Sequence, residues 1–310
     1  MERYNINKIT VSGVSAGSAM AAQVHVAHSS IISGVGLISG PPYFCASNSL
    51  LTASTQCMSQ PPKTNEFLDN ILNKVSDFKH HSLIDDTDNL KDDRVYIFSG
   101  KNDLIVKPEV VELNEKFYKK FMNESLIKRN YDTLATHGMI TNFFGGKCDE
   151  LSVDYFINNC DFNLAFDLLQ FLHPEEKFLK PKSEQKVTGR LMEFDQSEFF
   201  GDFSQSELVL DKTGFIYVPS VCEESECKLH IVFHGCLQGK FRIGNIFADK
   251  TGFNQVADLN KFIILYPQCM NSTSNPNGCF DWWGYSDDNY STKEGKQIKV
   301  IKSMINRLAF

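Results

Sequence analysis

One short segment near the start of the chain constrains the fold more than any other. In residues 9–20, ITVSGVSAGSAM, a run of β-type residues leads into a serine between two glycines, and an alanine-rich stretch follows. A strand, a tight turn and a helix in this order form a nucleophile elbow, which exposes the serine oxygen at the turn. Ser15 is therefore the candidate nucleophile. The alternative is a glycine- and serine-rich loop that merely precedes a helix.

The position of this elbow is unusual for an α/β-hydrolase, in which several strands and one side of the oxyanion hole normally come first. Here only about ten residues precede the motif, whereas residues 230–239, HIVFHGCLQG, lie more than 200 residues after it. That later segment resembles the strand and loop that supply the second oxyanion donor. Joining the two chain ends restores the usual order, so we expect a circularly permuted α/β-hydrolase. Met1 and Phe310 should then lie close together, with the elbow strand between residues 228–235 and 32–39.

The remaining patterns fit a mostly parallel sheet with helices on both faces. In residues 1–146, strand-like runs such as RVYIFSG alternate with helical patterns such as NEFLDNILNKVSDF. A strand end is expected in residues 131–138 and one helix over residues 244–260. Residues 147–190 are irregular and suggest a connector or a cap. Residues 191–310 are expected to form the half with the oxyanion loop and a closing helix. Two strands, GRLMEFDQ (from residue 189) and TGFIYVPS, are expected to form an antiparallel pair at the sheet edge. We expect a single domain over residues 1–310.

Charge and hydropathy exclude several kinds of partner. The net charge is −7 and the basic residues do not cluster, which argues against nucleic acid. No apolar run approaches the roughly 18 residues that a membrane span requires. The opening residues, MERYNINK, are polar, so we expect either a cytosolic chain or a leader that is absent from this sequence.

The cysteines favour the second of these possibilities. Eight of the nine fall into close sequential couples, and each couple brackets a turn-rich segment: Cys45 with Cys57, Cys148 with Cys160, Cys222 with Cys227, and Cys269 with Cys279. Eight cysteines allow 105 pairings, so spacing alone does not prove the connectivity. No CxxC or Cys/His cluster indicates a metal site. We expect four local disulfides, a free Cys236, no bound metal, and a secreted or periplasmic location.

Five motifs together resemble a known family. GVSAGSAM, SGKNDLIV, THGMITNFFG, HGCLQ and PNGCFDWWGY occur in one order over nearly the whole chain. They resemble the polyhydroxybutyrate depolymerases, and within them the group with a circularly permuted catalytic domain. The resemblance implies a secreted serine esterase that needs no cofactor and cleaves polyhydroxybutyrate, other short-chain polyhydroxyalkanoates or their oligomers. We expect a monomer without a separate polymer-binding domain.

The order of the motifs suggests the catalytic groups. His137, in LATHGMI, is the expected base, and Asp103, in the loop after the strand YIFSG, is the expected orienting acid. His234 is the strongest rival among the histidines. Asp93, Asp132 and Asp149 are alternatives for the acid, but Asp93 precedes its strand and the other two flank His137 too closely.

The remaining site residues are expected around the oxyanion and the substrate. The backbone N–H of Ala16 would be one oxyanion donor, and the family resemblance makes that of Cys236 the other. Trp282 and Trp283 are expected in a cleft-lining loop, where aromatic rings suit an aliphatic polyester, and His234 is expected to contact substrate. Packing of one tryptophan into the core is the alternative for either residue.

Two other functions fit some of these patterns. A carbohydrate-ester esterase of the feruloyl or acetylxylan type shares the fold and the elbow. A non-catalytic binding protein on a hydrolase scaffold is also conceivable, although the complete set of candidate catalytic residues argues against it.

Overall fold

The computed structural model describes residues 1–175, 177–182 and 185–310. Three residues of the expected connector, Glu176, Ser183 and Glu184, lie outside the described residues. Eleven strands are found in this part of the chain: β1 (Ile6–Val14), β2 (Gly34–Ile38), β3 (Arg94–Phe98), β4 (Ile127–Asn130), β5 (Met139–Thr141), β6 (Gly146–Lys147), β7 (Ile157–Asn159), β8 (Arg190–Asp195), β9 (Thr213–Val218), β10 (Cys227–Phe233) and β11 (Phe262–Tyr266).

The helices of the described residues are short, apart from four that cover the sheet. They are α1 (Ala16–Ala27), α2 (Leu50–Ser54), α3 (Glu66–His80), α4 (Pro108–Tyr118), α5 (Leu164–Leu172), α6 (Gln205–Leu208), α7 (Lys240–Ile243), α8 (Ile246–Lys250), α9 (Phe253–Asn260) and α10 (Lys296–Ala309). Four 3₁₀ segments supplement them, at Thr87–Asp92, Glu124–Leu126, Gln196–Phe199 and Ser220–Glu223. Within the described ranges, no helix combines the length and apolar character that crossing a bilayer requires.

The elbow strand β1 lies in the middle of the main sheet, as the permuted arrangement predicts. The eight strands follow the order β4-β3-β2-β1-β10-β11-β9-β8, and β9 and β8 are antiparallel to their neighbours. Val11 pairs with Val35 of β2 on one side and with Ile231 of β10 on the other. Two strands from opposite ends of the sequence therefore enclose the N-terminal strand.

The first and last segments of the chain meet at the surface. The Tyr4 N–H donates to the Leu308 carbonyl at 2.9 Å. Helix α10 packs through an apolar face that recurs every three to four residues, at Ile298, Ile301, Met304, Ile305 and Leu308. This contact places the two ends of the chain beside each other, in agreement with the expected order of the motifs.

Apolar side chains that alternate along the strands build two cores, one on each face of the sheet. On β3, Val95 and Ile97 face the core shared with α1, α3, α4 and α10. Tyr96 and Phe98 face the opposite core, shared with α5, α8 and α9. A mostly parallel sheet covered on both faces confirms the α/β fold class.

Three local expectations differ from the structure. Residues 131–138 form no strand, because β4 already ends at Asn130. The helix expected over residues 244–260 is divided between α8 and α9, where Gly252 adopts a φ of 86°. The segment expected to be a cap or a loop contains α5, which packs against β2 and β3 instead of covering the site.

The expected pairing of Cys269 with Cys279, and with it a free Cys236, is wrong. Cys236 bonds to Cys279, with a Cα–Cα distance of 4.2 Å, and Cys269 is a buried free thiol. The other three expected disulfides are present. Cys236 and Cys269 follow the adjacent parallel strands β10 and β11, so both lie at the same sheet edge. Proximity in sequence therefore did not identify the partner of Cys279.

Candidate active site

The turn between β1 and α1 holds Ser15 in a backbone conformation that few residues adopt. Its φ is 56° and its ψ is −121°, and its N–H donates to the Ile38 carbonyl at 2.8 Å. A Cβ on Gly13 would overlap the Gly17 carbonyl, and one on Gly17 would overlap the Phe233 carbonyl. The two glycines thus permit the sharp turn and the close approach of α1 to the end of β10. Ser15 stays partly exposed while its neighbours are buried.

The loop after β10 lies against this turn. A Cβ on Gly235 would come within 3.2 Å of the Ser15 Cβ. Ala16 and Cys236 line the same cleft, and neither backbone amide donates a hydrogen bond to an acceptor among the described residues. The Ala16 amide also belongs to the first turn of α1, where N–H groups lack helical partners and the helix dipole is positive. Two unpaired N–H donors beside a serine match the requirements of an oxyanion hole.

His137 and Asp103 form a buried pair next to the elbow. The His137 Nδ1 lies 2.8 Å from the Asp103 Oδ2, and the side chains are 6% and 0% exposed. The other carboxylate oxygen accepts N–H bonds from Ile105 at 2.9 Å and Val106 at 3.0 Å. Because a carboxylate accepts from Nδ1–H, the Nε2 of His137 remains free to take a proton.

The alternative acids are not bonded to His137. Asp93 instead accepts from His25 Nε2 at 3.0 Å, and the other nitrogen of His25 lies 2.9 Å from the Tyr118 hydroxyl. That second histidine–aspartate pair does not line the cleft. Neither Asp132 nor Asp149 has a recorded bond to His137 among the described residues.

The cleft that contains Ser15 and His137 has a volume of about 310 Å³ and a largely apolar lining. Its apolar walls include Ala53, Met58, Ile105, Leu237, Trp282 and Trp283. The two indole rings meet edge to face at 5.7 Å. Trp282 is 8% exposed, and its indole N–H has no hydrogen-bond partner among the described residues. The cleft is therefore an apolar groove that contains Ser15 and His137 and is lined by both tryptophans, whereas the Trp282 indole nitrogen is itself buried.

The comparison with known proteins places this geometry in a family. The chain is 32% identical, over 323 aligned positions, to the polyhydroxybutyrate depolymerase of Talaromyces funiculosus, with 98% of this chain and 90% of that protein covered. The chain belongs to the polyhydroxybutyrate depolymerase family. The resemblance of the five motifs is thereby confirmed, and with it the expectation of an ester hydrolase.

Other comparisons with depolymerases agree. The poly(3-hydroxybutyrate) depolymerase of Delftia acidovorans is 35% identical over 305 residues, which are 97% of this chain but 59% of that protein. The chain thus spans less than two thirds of that relative. Two solved structures match with a TM-score of 0.89, at 29% identity and with 99% of this chain and 98% of theirs covered. One is a PHB depolymerase from Penicillium funiculosum, and the other is a serine-to-alanine variant complexed with an R3HB trimer. No protein-family model matches the chain.

The expectation that His234 contacts substrate is wrong. His234 is fully buried and does not line the cleft. Its Nδ1 donates to the Gly235 carbonyl at 2.8 Å, and its Nε2 accepts from the Cys269 N–H at 3.1 Å. Burial lowers the pKa of His234 to about 4. Since both ring nitrogens bond to the backbone, none remains for a ligand.

Asp281 shapes the tryptophan loop and was not identified from the sequence. Its buried carboxylate accepts N–H bonds from four consecutive residues, 283–286, at 2.7–3.2 Å, and the Ser286 hydroxyl donates to it at 2.6 Å. Burial raises the pKa of this carboxyl, and the bonds from Ser286 oppose the increase. An Asp three residues before a turn glycine, as Asp281 is before Gly284, is the sequence signal that would have identified it.

Proposed function

We propose that this protein is a serine esterase that hydrolyses polyhydroxybutyrate, other short-chain polyhydroxyalkanoates or their oligomers through an acyl-enzyme. The observation that carries the proposal is the apolar cleft, which is lined by both Ser15 and a His137 already bonded to Asp103. The names of the matched depolymerases, and the R3HB trimer bound to one of them, support the same substrate class.

The chemistry follows from the positions of these groups. His137 Nε2 takes the Ser15 hydroxyl proton as the oxygen attacks the ester carbonyl carbon. The negative charge that develops on the carbonyl oxygen is stabilised by the N–H groups of Ala16 and Cys236. The proton then passes to the leaving alkoxide, and water cleaves the acyl-enzyme by the reverse sequence. Apolar walls accommodate the methyl and methylene groups of the polyester.

The proposal extends to location and assembly. Four disulfides are typical of a protein that matures in an oxidising compartment, which supports secretion. We also propose a single-domain, monomeric enzyme, because Ser15 and the His137–Asp103 pair meet within one fold and the proposed chemistry needs no residue from a second subunit. Light scattering of the purified protein tests the monomer, and a dimer would contradict that part of the proposal.

A comparison of three substrates tests the proposed activity. The purified protein is given a polyhydroxybutyrate suspension, an aryl butyrate and an aryl or methyl ferulate in parallel, with Ser15→Ala as the inactive reference. We expect clearing of the polymer and hydrolysis of the butyrate ester. Turnover of the ferulate with no clearing would favour a carbohydrate-ester esterase. Failure of a fluorophosphonate probe to label Ser15 would favour a binding protein.

A further inference from the structure

The peptide unit between Gly235 and Cys236 is held at its carbonyl end. A trans peptide is planar, so its C=O and N–H point in opposite directions and cannot rotate independently. The Gly235 carbonyl accepts from His234 Nδ1–H at 2.8 Å and from the Gln238 N–H at 3.3 Å. A group that fixes this carbonyl therefore also fixes the direction of the Cys236 N–H.

His234 can act only as a donor at this carbonyl. A carbonyl oxygen only accepts, so Nδ1 must carry the proton, and the Cys269 N–H only donates, so Nε2 must be unprotonated. The ring is packed between Phe280, with centroids 4.8 Å apart, and Phe247, with centroids 6.0 Å apart. Two hydrogen bonds and two aromatic contacts leave the imidazole one orientation and one tautomer.

The side chain of Gln238 holds the other side of the same glycine. Its Oε1 accepts from the Gly235 N–H at 2.7 Å, and its Nε2 donates to the carbonyls of Tyr155 and Phe156 at 2.9 and 3.0 Å. The Phe156 carbonyl also accepts the Met139 N–H, and the Phe156 ring lies 6.3 Å from that of His137. Gln238 thus connects the loop after β10 to the segment that packs against the catalytic histidine.

We propose that His234 and Gln238 are positioning residues that orient the Cys236 N–H toward the reacting carbonyl oxygen. The inference rests on the proposed function, since it assigns a part of the oxyanion hole. It explains why a histidine that contacts no substrate is buried directly before the loop that carries the donor. The two side chains act at the transition state, where the oxyanion forms, and contribute little to binding of the uncharged ester.

Four variants test this inference with a soluble aryl butyrate. His234→Phe keeps an aromatic ring but removes the donor, Gln238→Met removes both polar atoms, and His234→Asn restores a donor near the position of Nδ1. His230→Phe is the matched control, because His230 is equally buried on β10, the strand directly before His234, but bonds to Thr10 and Ser12. We expect kcat to fall about 10- to 100-fold in His234→Phe and Gln238→Met, with KM within about threefold of wild type.

A second readout separates positioning from general loss of structure. An alkylboronic acid forms a tetrahedral adduct on Ser15 with an oxygen at the oxyanion position, so its Ki should rise in parallel with the fall in kcat. His234→Asn should recover most of both, and His230→Phe should change kcat less than about twofold even if its Tm drops. A kcat and boronate Ki within twofold of wild type in folded His234→Phe and Gln238→Met would overturn the inference and leave the esterase intact. Activity that persists in Ser15→Ala, or a wild type without esterase activity, would overturn the proposed function and this inference together.

Discussion

At the scale of single residues, the geometry of the site depends on two glycines without a side chain as well as on the serine that would react. A Cβ on Gly13 would collide with the start of α1, and a Cβ on Gly17 would collide with the end of β10. Ser15 can therefore adopt a φ of 56° beside the oxyanion loop. This conformation is costly for a residue with a side chain, and it persists because strand pairing on both sides of β1 imposes it.

Replacing the nucleophile tests this arrangement directly. We expect Ser15→Ala to lose aryl-ester and polymer hydrolysis by at least about 10⁴-fold, with its Tm near that of wild type, because only the attacking oxygen is removed. Ser18→Ala is the control, since Ser18 is a buried serine one turn further along α1. Residual turnover within about tenfold of wild type would rule out Ser15 as the nucleophile.

The carboxylate of Asp281 should determine how well the cleft binds a long substrate. Asp281→Asn keeps an acceptor oxygen for the N–H groups of residues 283–285 but presents an NH₂ group to the Ser286 N–H, so this part-buried donor loses its partner and the remaining bonds lose the negative charge of their acceptor. We expect the free energy of unfolding to fall by about 3 kcal/mol in urea denaturation. The KM for a hydroxybutyrate trimer should rise more than the KM for an aryl acetate, because the tryptophan wall is displaced.

The exposed neighbour Asp288 provides the comparison for this variant. Asp288→Asn removes the same charge from the same loop and should change neither stability nor KM. Equal effects of the two substitutions would show that loop charge, and not the hydrogen bonds of Asp281, determines binding of the trimer.

At the scale of elements, the carboxyl ends of parallel strands position the residues of the candidate site. Strands β1, β10 and β3 are parallel, and their carboxyl ends place Ser15, Cys236 and Asp103 at one edge of the sheet. The disulfide from Cys236 to Cys279 joins the loop after β10 to the tryptophan loop, which precedes α10. It therefore connects the proposed oxyanion donor to the tryptophan wall of the cleft.

Removing this disulfide should affect both stability and catalysis. Its cysteines are 43 residues apart, and closing a loop of this length stabilises by about 4 kcal/mol. In Cys236→Ala/Cys279→Ala the backbone amide is retained, but we expect a lower Tm and a kcat reduced about tenfold or more, because the loop loses its anchor. The control is Cys222→Ala/Cys227→Ala, which removes a bridge outside the cleft. A lower kcat in the control alone would contradict this role.

The sequence predicted elements better than contacts between them. The order of motifs was sufficient to place β1 between β2 and β10, because an elbow and an oxyanion loop have fixed neighbours in the fold. The partner of Cys279 was not predictable, since β10 and β11 bring two cysteines to one edge. The buried position of His234 was missed because its two hydrogen bonds to the backbone form only in the folded chain. Gly252 ended a helical pattern that periodicity alone continues.

At the scale of the whole molecule, buried histidines make stability depend on pH. Burial is the main cause that lowers the pKa of four histidines to between about 2 and about 4: His28, His173, His230 and His234. Each is neutral in the folded protein but takes up a proton near pH 6.5 in the unfolded chain. The unfolded state therefore binds more protons in this range, and stability falls as pH decreases from 6.5 toward the folded pKa values.

Chemical denaturation at several pH values measures this dependence. We expect the free energy of unfolding to fall by about 2 kcal/mol per buried histidine between pH 7 and pH 5. In His230→Phe, the slope of this free energy against pH should decrease by the contribution of one proton. An identical slope in wild type and variant would mean that His230 is already protonated in the folded state.

The meeting of the chain ends predicts that the chain can be opened elsewhere. The Tyr4 N–H and Leu308 carbonyl are 2.9 Å apart, so a short glycine–serine linker spans the gap between the termini.

Lys182 is exposed and lies between two anchors on α9: Asn260 holds both backbone groups of Leu179, and Asp258 accepts from Thr188 and Gly189. New termini at Lys182 therefore leave both flanking segments attached to α9. We expect this permutant to fold and to retain kcat within about threefold of wild type, whereas one opened at Val95, inside β3, should not fold. A Lys182 permutant that is folded but inactive would contradict the conclusion that the elbow strand and the oxyanion loop form one site regardless of where the chain begins.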